Sequence, residues 1–203
     1  DTNNQITWSV PAPTELSITN DAETGEPQNF MDPSDVFTFA EFSFTLTKAD
    51  TLTNITEVKV AMTGTASMSD LANVRAYVDT NNNCNYNAAA DTQIGSDLVF
   101  SGATPTATIA ITAGDVQTSG TTTNDACLII RAEAATNPQD EKTVKFAILS
   151  DSDVTNSFGY SLSTTSGTPI ETNTTTIRNP NFSSWNGSTS TSWNDATNWT
   201  GGL

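Results

Sequence analysis

Val36-Phe-Thr-Phe-Ala-Glu-Phe-Ser-Phe-Thr-Leu-Thr47 is the stretch on which the fold turns. Large apolar residues recur at every second position, the period of a β-strand with one buried face. The phase then breaks: Phe37 and Phe39 fall on odd positions, and Phe42, Phe44 and Leu46 on even ones. A slip of one residue would turn the apolar face outward. Two readings therefore stand, a β-bulge near Ala40 and Glu41 or a strand buried on both faces.

The same alternation repeats along the chain. Val58, Val60 and Met62 show it, as do Val74, Ala76 and Val78, then Ala107, Ile109 and Ile111, then Leu128, Ile130 and Ala132, then Val144, Phe146 and Ile148. Between these runs lie stretches of Gly, Asn, Asp, Ser and Thr, at the spacing of sandwich turns. No stretch has a helical period with caps. The pattern predicts an all-β fold, a Greek-key antiparallel β-sandwich of about eight to ten strands.

Three regions differ in composition. Residues 1–20 read as a separate strand segment: Gln5-Ile-Thr-Trp-Ser-Val10 is strand-like, Pro11-Ala-Pro13 is a stiff extended connector, and Thr14 to Thr19 reads as a second strand. Ile6, Trp8 and Val10 would then present alternate side chains to a sheet edge, in the same domain or in a neighbouring subunit. Residues 21–178 hold the sandwich. They open with the acidic stretch Asn20 to Asp35, which carries Asp21, Glu23, Glu26, Asp32 and Asp35 and reads as a solvated loop or a cation site. Residues 179–203 are nearly all Asn, Ser, Thr, Gly and Trp, too poor in aliphatic side chains for a core of their own. That segment reads as an irregular tail or the opening of a further repeat.

Composition narrows the function. The 203 residues hold 23 Asp+Glu against 7 Lys+Arg, a formal net charge of −16. Such a surface repels phosphate backbones and anionic membranes, which disfavours nucleic acid as a partner. It suits solubility, or divalent cations where carboxylates converge. Histidine is absent, which removes the commonest general base and the Ser-His and Cys-His arrangements. A carboxylate glycosidase remains formally open, but no acid pair sits among sugar-stacking aromatics. No apolar run is long enough to span a bilayer as a helix.

The sharpest local feature is Val78-Asp-Thr-Asn-Asn-Asn-Cys-Asn-Tyr-Asn-Ala-Ala-Ala-Asp91, a strand that runs into oxygen ligands at alternate positions. Calcium takes six to eight hard oxygens, and ligands at every second residue let a loop wrap the ion. Asp79, Asn81 and Asn83 fit its first positions, Asn85 could add a carbonyl, and Asp91 could close the shell. Against this, Cys84 stands where such loops carry a turn-making glycine, and Asp91 falls one residue late. Asn-rich loops also form for turn chemistry alone, so a bare loop anchored by a disulfide is the competing reading. Cys84 and Cys127 are the two cysteines, read as a disulfide in an exported chain or as small buried apolar residues in a cytosolic one. Cys127 falls on the face of Arg131, opposite Leu128 and Ile130, so a bond to Cys84 would pin an outer loop onto the sheet. Asp151 and Asp153 would join an ion site only if folding brings them close. Sequons at Asn54, Asn173, Asn181, Asn186 and Asn198 are glycosylation candidates.

The stretch Val74-Arg-Ala-Tyr-Val-Asp-Thr-Asn-Asn-Asn, with Asp91, Ile94-Gly95, Phe100-Ser-Gly102, Thr108 to Ile111 and Phe146 to Val154, resembles Ig-like β-sandwich modules of large secreted bacterial surface proteins. The similarity covers roughly residues 36 to 156. Trp185-Asn-Gly and Asn198-Trp-Thr-Gly-Gly202 resemble repeat starts in such proteins. The resemblance implies a non-catalytic extracellular module of a filament, pilus-like fibre, adhesin or surface layer, assembling with identical subunits through strand edges. The alternative is a carbohydrate- or cell-surface-binding module, with surface glycans as partners and Trp185, Trp193, Trp199 and Tyr86 as stacking platforms.

Overall fold

The computed structural model describes residues 15–20, 30–47, 53–81, 83–112, 114–118, 126–157, 169–179 and 184–200. Their strands are β1 (Glu15–Asn20), β2 (Phe30–Met31), β3 (Val36–Thr47), β4 (Thr53–Gly64) and β5 (Leu71–Val78). There follow β6 (Thr92–Ile94), β7 (Thr106–Ala110), β8 (Gln117–Thr118), β9 (Ala126–Ala134) and β10 (Lys142–Ile148). Last come β11 (Val154–Asn156), β12 (Ile170–Glu171), β13 (Thr175–Ile177), β14 (Ser184–Trp185) and β15 (Trp199–Thr200). Among the described residues the only helical pieces are three single 3₁₀ turns, at Met68–Asp70, Asp151–Asp153 and Ala196–Asn198. The chain is an all-β sandwich.

The first sheet has the order β1-β3-β9-β5-β6. In the second, β4 is flanked on one side by β7 and β8 and on the other by β10 and β11. Beyond β10 run β12 and β13, and β2 closes that edge. Since β7/β8, β10/β11 and β12/β13 are each one line interrupted by a turn, both sheets read as five lines, and the ten together match the strand count expected from sequence. Pairing is antiparallel except between β2 and β13, which run parallel. That one pair departs from the antiparallel expectation. The chain crosses from sheet to sheet after each of β1, β2, β3, β4, β6, β8 and β9, so neighbours within a sheet are rarely consecutive.

The phase break in β3 is a bulge. Thr38 pairs with Arg131 and Ala40 with Ile130, leaving Phe39 as the extra residue, one position earlier than the sequence suggests. The bulge keeps Phe39 in the core, where its ring meets Phe146 of the opposite sheet edge-on at 5.2 Å. Phe42, Phe44, Val60, Ile109, Leu128, Ile130 and Phe146 fill the space between the sheets. Each fully buried side chain of this size contributes about 1.5–3 kcal/mol relative to exposure. Every residue from Phe37 to Phe44 is buried, Glu41 and Ser43 on the outer face included, so the strand is both bulged and covered on both faces.

Sharp crossings are fixed locally. At the end of β4, Gly64 has φ +107°, and a Cβ there would collide with the Thr143 carbonyl, which accepts the N–H groups of Thr65 and Ala66 at 2.9 Å. Only glycine takes that conformation at that approach. The turn Ser67–Asp70 follows: the Ser67 N–H and hydroxyl both donate to Asp70 Oδ2 at 2.8 Å. Asp70 Oδ1 accepts the Gln139 N–H at 2.7 Å, tying this crossing to the loop before β10.

Candidate functional site

The loop between β5 and β6 lies on the outer face of the first sheet. Asp79 sits at the end of β5, buried, with Oδ1 accepting the Asn81 N–H at 3.1 Å and Oδ2 the Cys84 N–H at 2.6 Å. Asp91 closes the other end: its Oδ1 accepts the Thr80 N–H at 3.2 Å and its Oδ2 the Asn87 N–H at 2.6 Å. The Thr80 hydroxyl adds a bond to the Ala90 carbonyl at 2.6 Å. Within the loop, Asn83 Oδ1 accepts the Asn85 N–H and Asn87 Oδ1 the Ala89 N–H, both at 3.0 Å. These are Asx turns, in which a short polar side chain replaces a backbone acceptor.

The five residues that spacing nominates as calcium ligands therefore do share one loop. Asp79 is buried, Asn85 and Asp91 are half-buried, and Asn81 and Asn83 are exposed. All four carboxylate oxygens of Asp79 and Asp91 already accept an N–H, so a cation could use only the lone pairs left over. Cys84 has φ +52°, the left-handed region that a glycine would ordinarily supply. It bonds to Cys127 with Cα atoms 5.5 Å apart. As the alternation of β9 requires, Cys127 lies on the outer face, so the disulfide pins the loop to the sheet without crossing the core. The Asp79 carboxylate approaches both sulfurs. Those sulfurs are joined to each other and offer no thiolate to a metal.

Aromatic side chains complete the cover. Tyr86 packs edge-on against Tyr77 of β5 at 5.0 Å, and the Arg131 guanidinium lies 3.7 Å from the Tyr86 ring centroid. Arg131 stands directly opposite Arg75 on the neighbouring strand. Two like charges so placed repel, and each is provided for separately. Arg75 donates to Asp97 at 2.7 Å, and this bond holds its guanidinium above the usual arginine range. Arg131, whose Nε is buried without a hydrogen-bond partner, is balanced by the π face of Tyr86. Of this cluster the sequence marks only Tyr86, and for a different role.

The other nominated acids do not converge on this loop. Asp153 caps its own turn, accepting the Ser150 N–H at 3.0 Å, and faces Lys59 of β4 in the second sheet at 3.7 Å, while Asp151 is exposed. Asp32 pairs with Arg178, and Asp35 accepts the Asp32 N–H. Asp21, Glu23 and Glu26 lie outside the described residues, as do Ile6, Trp8, Val10 and Asn181.

With this geometry in hand, comparison with protein-family models, with curated proteins and with solved structures returns no match.

The sequons separate by structure. Asn173 and Asn186 are exposed, whereas Asn54 is half-buried, its Oδ1 accepting from the Gly114 N–H and Gln117 Nε2. Asn198 is fully buried, and its Nδ2 donates to Ser190 Oγ at 2.8 Å and the Ser192 carbonyl at 3.0 Å. A glycan on this amide nitrogen would have to displace these bonds and open the buried site, whereas one on Asn173 or Asn186 would meet solvent.

Residues 184–200 are more ordered than their composition suggests. β14 and β15 pair as a two-stranded ribbon, with Trp185 opposite Trp199. Asn198 is its polar hub: Oδ1 accepts the N–H groups of Thr189 and Ser190 at 2.8 and 2.9 Å, which with the two donated bonds fills the amide's usual capacity. Trp185, Trp193 and Trp199 form a mutual cluster, with Trp193 stacked on Trp185 at 4.8 Å and 19°. Trp199 Nε1 donates to the Trp193 carbonyl at 2.9 Å. Three indoles and one amide thus do the work of an aliphatic core.

Proposed function

We propose that the chain is a non-catalytic module of an extracellular surface assembly, a filament, pilus-like fibre or surface layer, joined to identical copies through sheet edges. The observation that carries this reading is the place of β1 at the edge of the first sheet, immediately after the Pro11-Ala-Pro13 connector. An edge strand presents unpaired backbone donors and acceptors, and the alternation of Ile6, Trp8 and Val10 in the sequence before it suits a segment that adds to such an edge. The disulfide supports an oxidising compartment outside the cell.

The polar groups favour scaffolding over catalysis. A glycosidase needs one carboxyl held protonated by a raised pKa. Burial alone would raise Asp70, but the N–H groups of Gln139 and Ser67, the Ser67 hydroxyl and the Lys142 charge together hold it below the usual range. Asp195 is lowered by the hydroxyl and N–H of Thr197 and by the Ser190 hydroxyl. These carboxylates fix turns.

Light scattering and negative-stain electron microscopy on the purified chain test the reading. Oligomers or fibres are expected from the full chain, and monomers once residues 1–13 are removed. Polymerisation that survives the truncation, or a full chain that stays monomeric at every concentration, would overturn assembly through this segment.

A further inference from the structure

We infer that Trp193 is the platform of a binding site for an uncharged glycan. Among the described residues Trp193 is the most exposed aromatic side chain, at 63% against 47% for Phe30. The exposure is not slack. The ring is stacked on Trp185, its centroid lies 4.9 Å from that of Trp199 with the planes tilted by 57°, and its backbone carbonyl is held by Trp199 Nε1. Gly187, at φ +59°, lets the turn pass close to the Trp185 ring, where a Cβ would come within 3.1 Å of Nε1. The ribbon therefore fixes one indole as a rigid, flat surface turned to solvent, which binds at low entropic cost.

The chemistry around that surface selects the occupant. Residues 179–203 contain no Lys or Arg, so nothing there pairs with a phosphate, sulfate or uronate. The one carboxylate, Asp195, is engaged by Thr197 and Ser190 and holds the turn. What flanks Trp193 is neutral: exposed Thr191, Ser192 and Asn194 offer hydroxyl and amide groups. A flat apolar face rimmed by neutral donors and acceptors matches a pyranose ring, whose C–H face stacks on the indole while its equatorial hydroxyls reach the rim. A second copy of the chain is the competing occupant, and the test below separates it from a sugar. This inference does not depend on strand-edge assembly: a chain that fails to polymerise could still bind sugar, and the reverse.

The test is affinity electrophoresis and pull-down of the full chain on cellulose, chitin and a soluble β-glucan, with alginate as an anionic control. Expected are retention on at least one neutral polymer, a change in tryptophan emission on adding it, and no retention by alginate. Trp193→Ala should weaken retention by at least about tenfold, and Trp193→Tyr should restore part of it. Both variants keep the Trp193 backbone carbonyl that anchors Trp199, and an unchanged unfolding midpoint of the sandwich shows that the fold is intact. Failure on every neutral polymer, retention by alginate alone, or undiminished binding by Trp193→Ala would overturn the assignment. Trp193-dependent self-association without sugar binding would overturn it in favour of a second copy.

Discussion

Removing the Cys84–Cys127 cross-link should cost the fold about 4 kcal/mol. The bond closes a loop spanning a sequence separation of 43, and a closure of that length restricts the unfolded chain by about 13 cal/mol/K. For a chain of this size such a loss lowers the thermal midpoint by about 8–16 °C. A second quantity follows from the backbone: Cys84 sits at φ +52°, where a residue with a Cβ costs about 1 kcal/mol relative to glycine. Two double variants separate the effects, Cys84→Ala with Cys127→Ala and Cys84→Gly with Cys127→Ala. Urea unfolding followed by circular dichroism should place the first about 4 kcal/mol below the oxidised parent and the second about 1 kcal/mol above the first. The Cys84 N–H bond to Asp79 involves backbone and survives in both. A loss under about 1 kcal/mol in the alanine pair would mean that the loop's own hydrogen bonds, not the cross-link, set its stability. A glycine variant no better than the alanine one would refute the left-handed requirement at position 84.

Two further outcomes bear on the carboxylates. Asp70→Asn keeps one acceptor and loses the other, so it should cost about 1–3 kcal/mol at neutral pH; because the folded pKa of Asp70 is depressed, its contribution is full above the unfolded value of about 3.9 and lost as pH falls through the lower folded value, and the acid limb of a stability profile should flatten in the variant, while an unchanged limb would show that this latch carries no linkage. Chelation with EDTA should leave the thermal midpoint unmoved, since Asp79 and Asp91 close their loop on its own N–H groups, whereas a calcium-dependent rise in the midpoint, lost on Asp79→Asn, would show that the loop folds around an ion.

The fold was largely legible because its signals are local. Period-two alternation marks most of the long strands, and the phase break in Val36 to Thr47 announces the bulge. Its placement at Phe39 was not legible, since it depends on a partner 107 positions away: the Phe39 ring is drawn to Phe146 in the other sheet, and the small Ala40 takes up the ladder instead. The parallel pairing of β2 with β13 has no local signature, as two residues of strand carry no pattern. At the loop, ligand-like spacing marks residues that lie in one hydrogen-bonded loop, because Asp and Asn at alternate positions suit both a cation and a run of Asx turns. What spacing could not decide is which acceptor meets which donor. Asn198 reads as a sequon in one dimension and is a buried hub in three, because only the closed ribbon brings Thr189, Ser190 and Ser192 around it.

The turns also explain how so acidic a chain stays folded. Ser67-Met-Ser-Asp70 and Ser150-Asp-Ser-Asp153 are the same device used twice: in each, the serine N–H donates to the aspartate Oδ2 and the aspartate N–H returns to the serine carbonyl. Asp79, Asp91 and Asp195 likewise accept backbone N–H groups. With 7 cationic side chains for 23 acids, ion pairing cannot satisfy the carboxylates, and exposed pairs such as Arg178–Asp32 contribute about 0–1 kcal/mol each and fade with salt. A carboxylate bonded to an N–H in a tight turn is much less exposed to that screening. Surface repulsion, by contrast, is screened away. The net effect of added salt on this fold should therefore be stabilising, and the condition that undoes it is acid, which protonates the acceptors on which the turns depend.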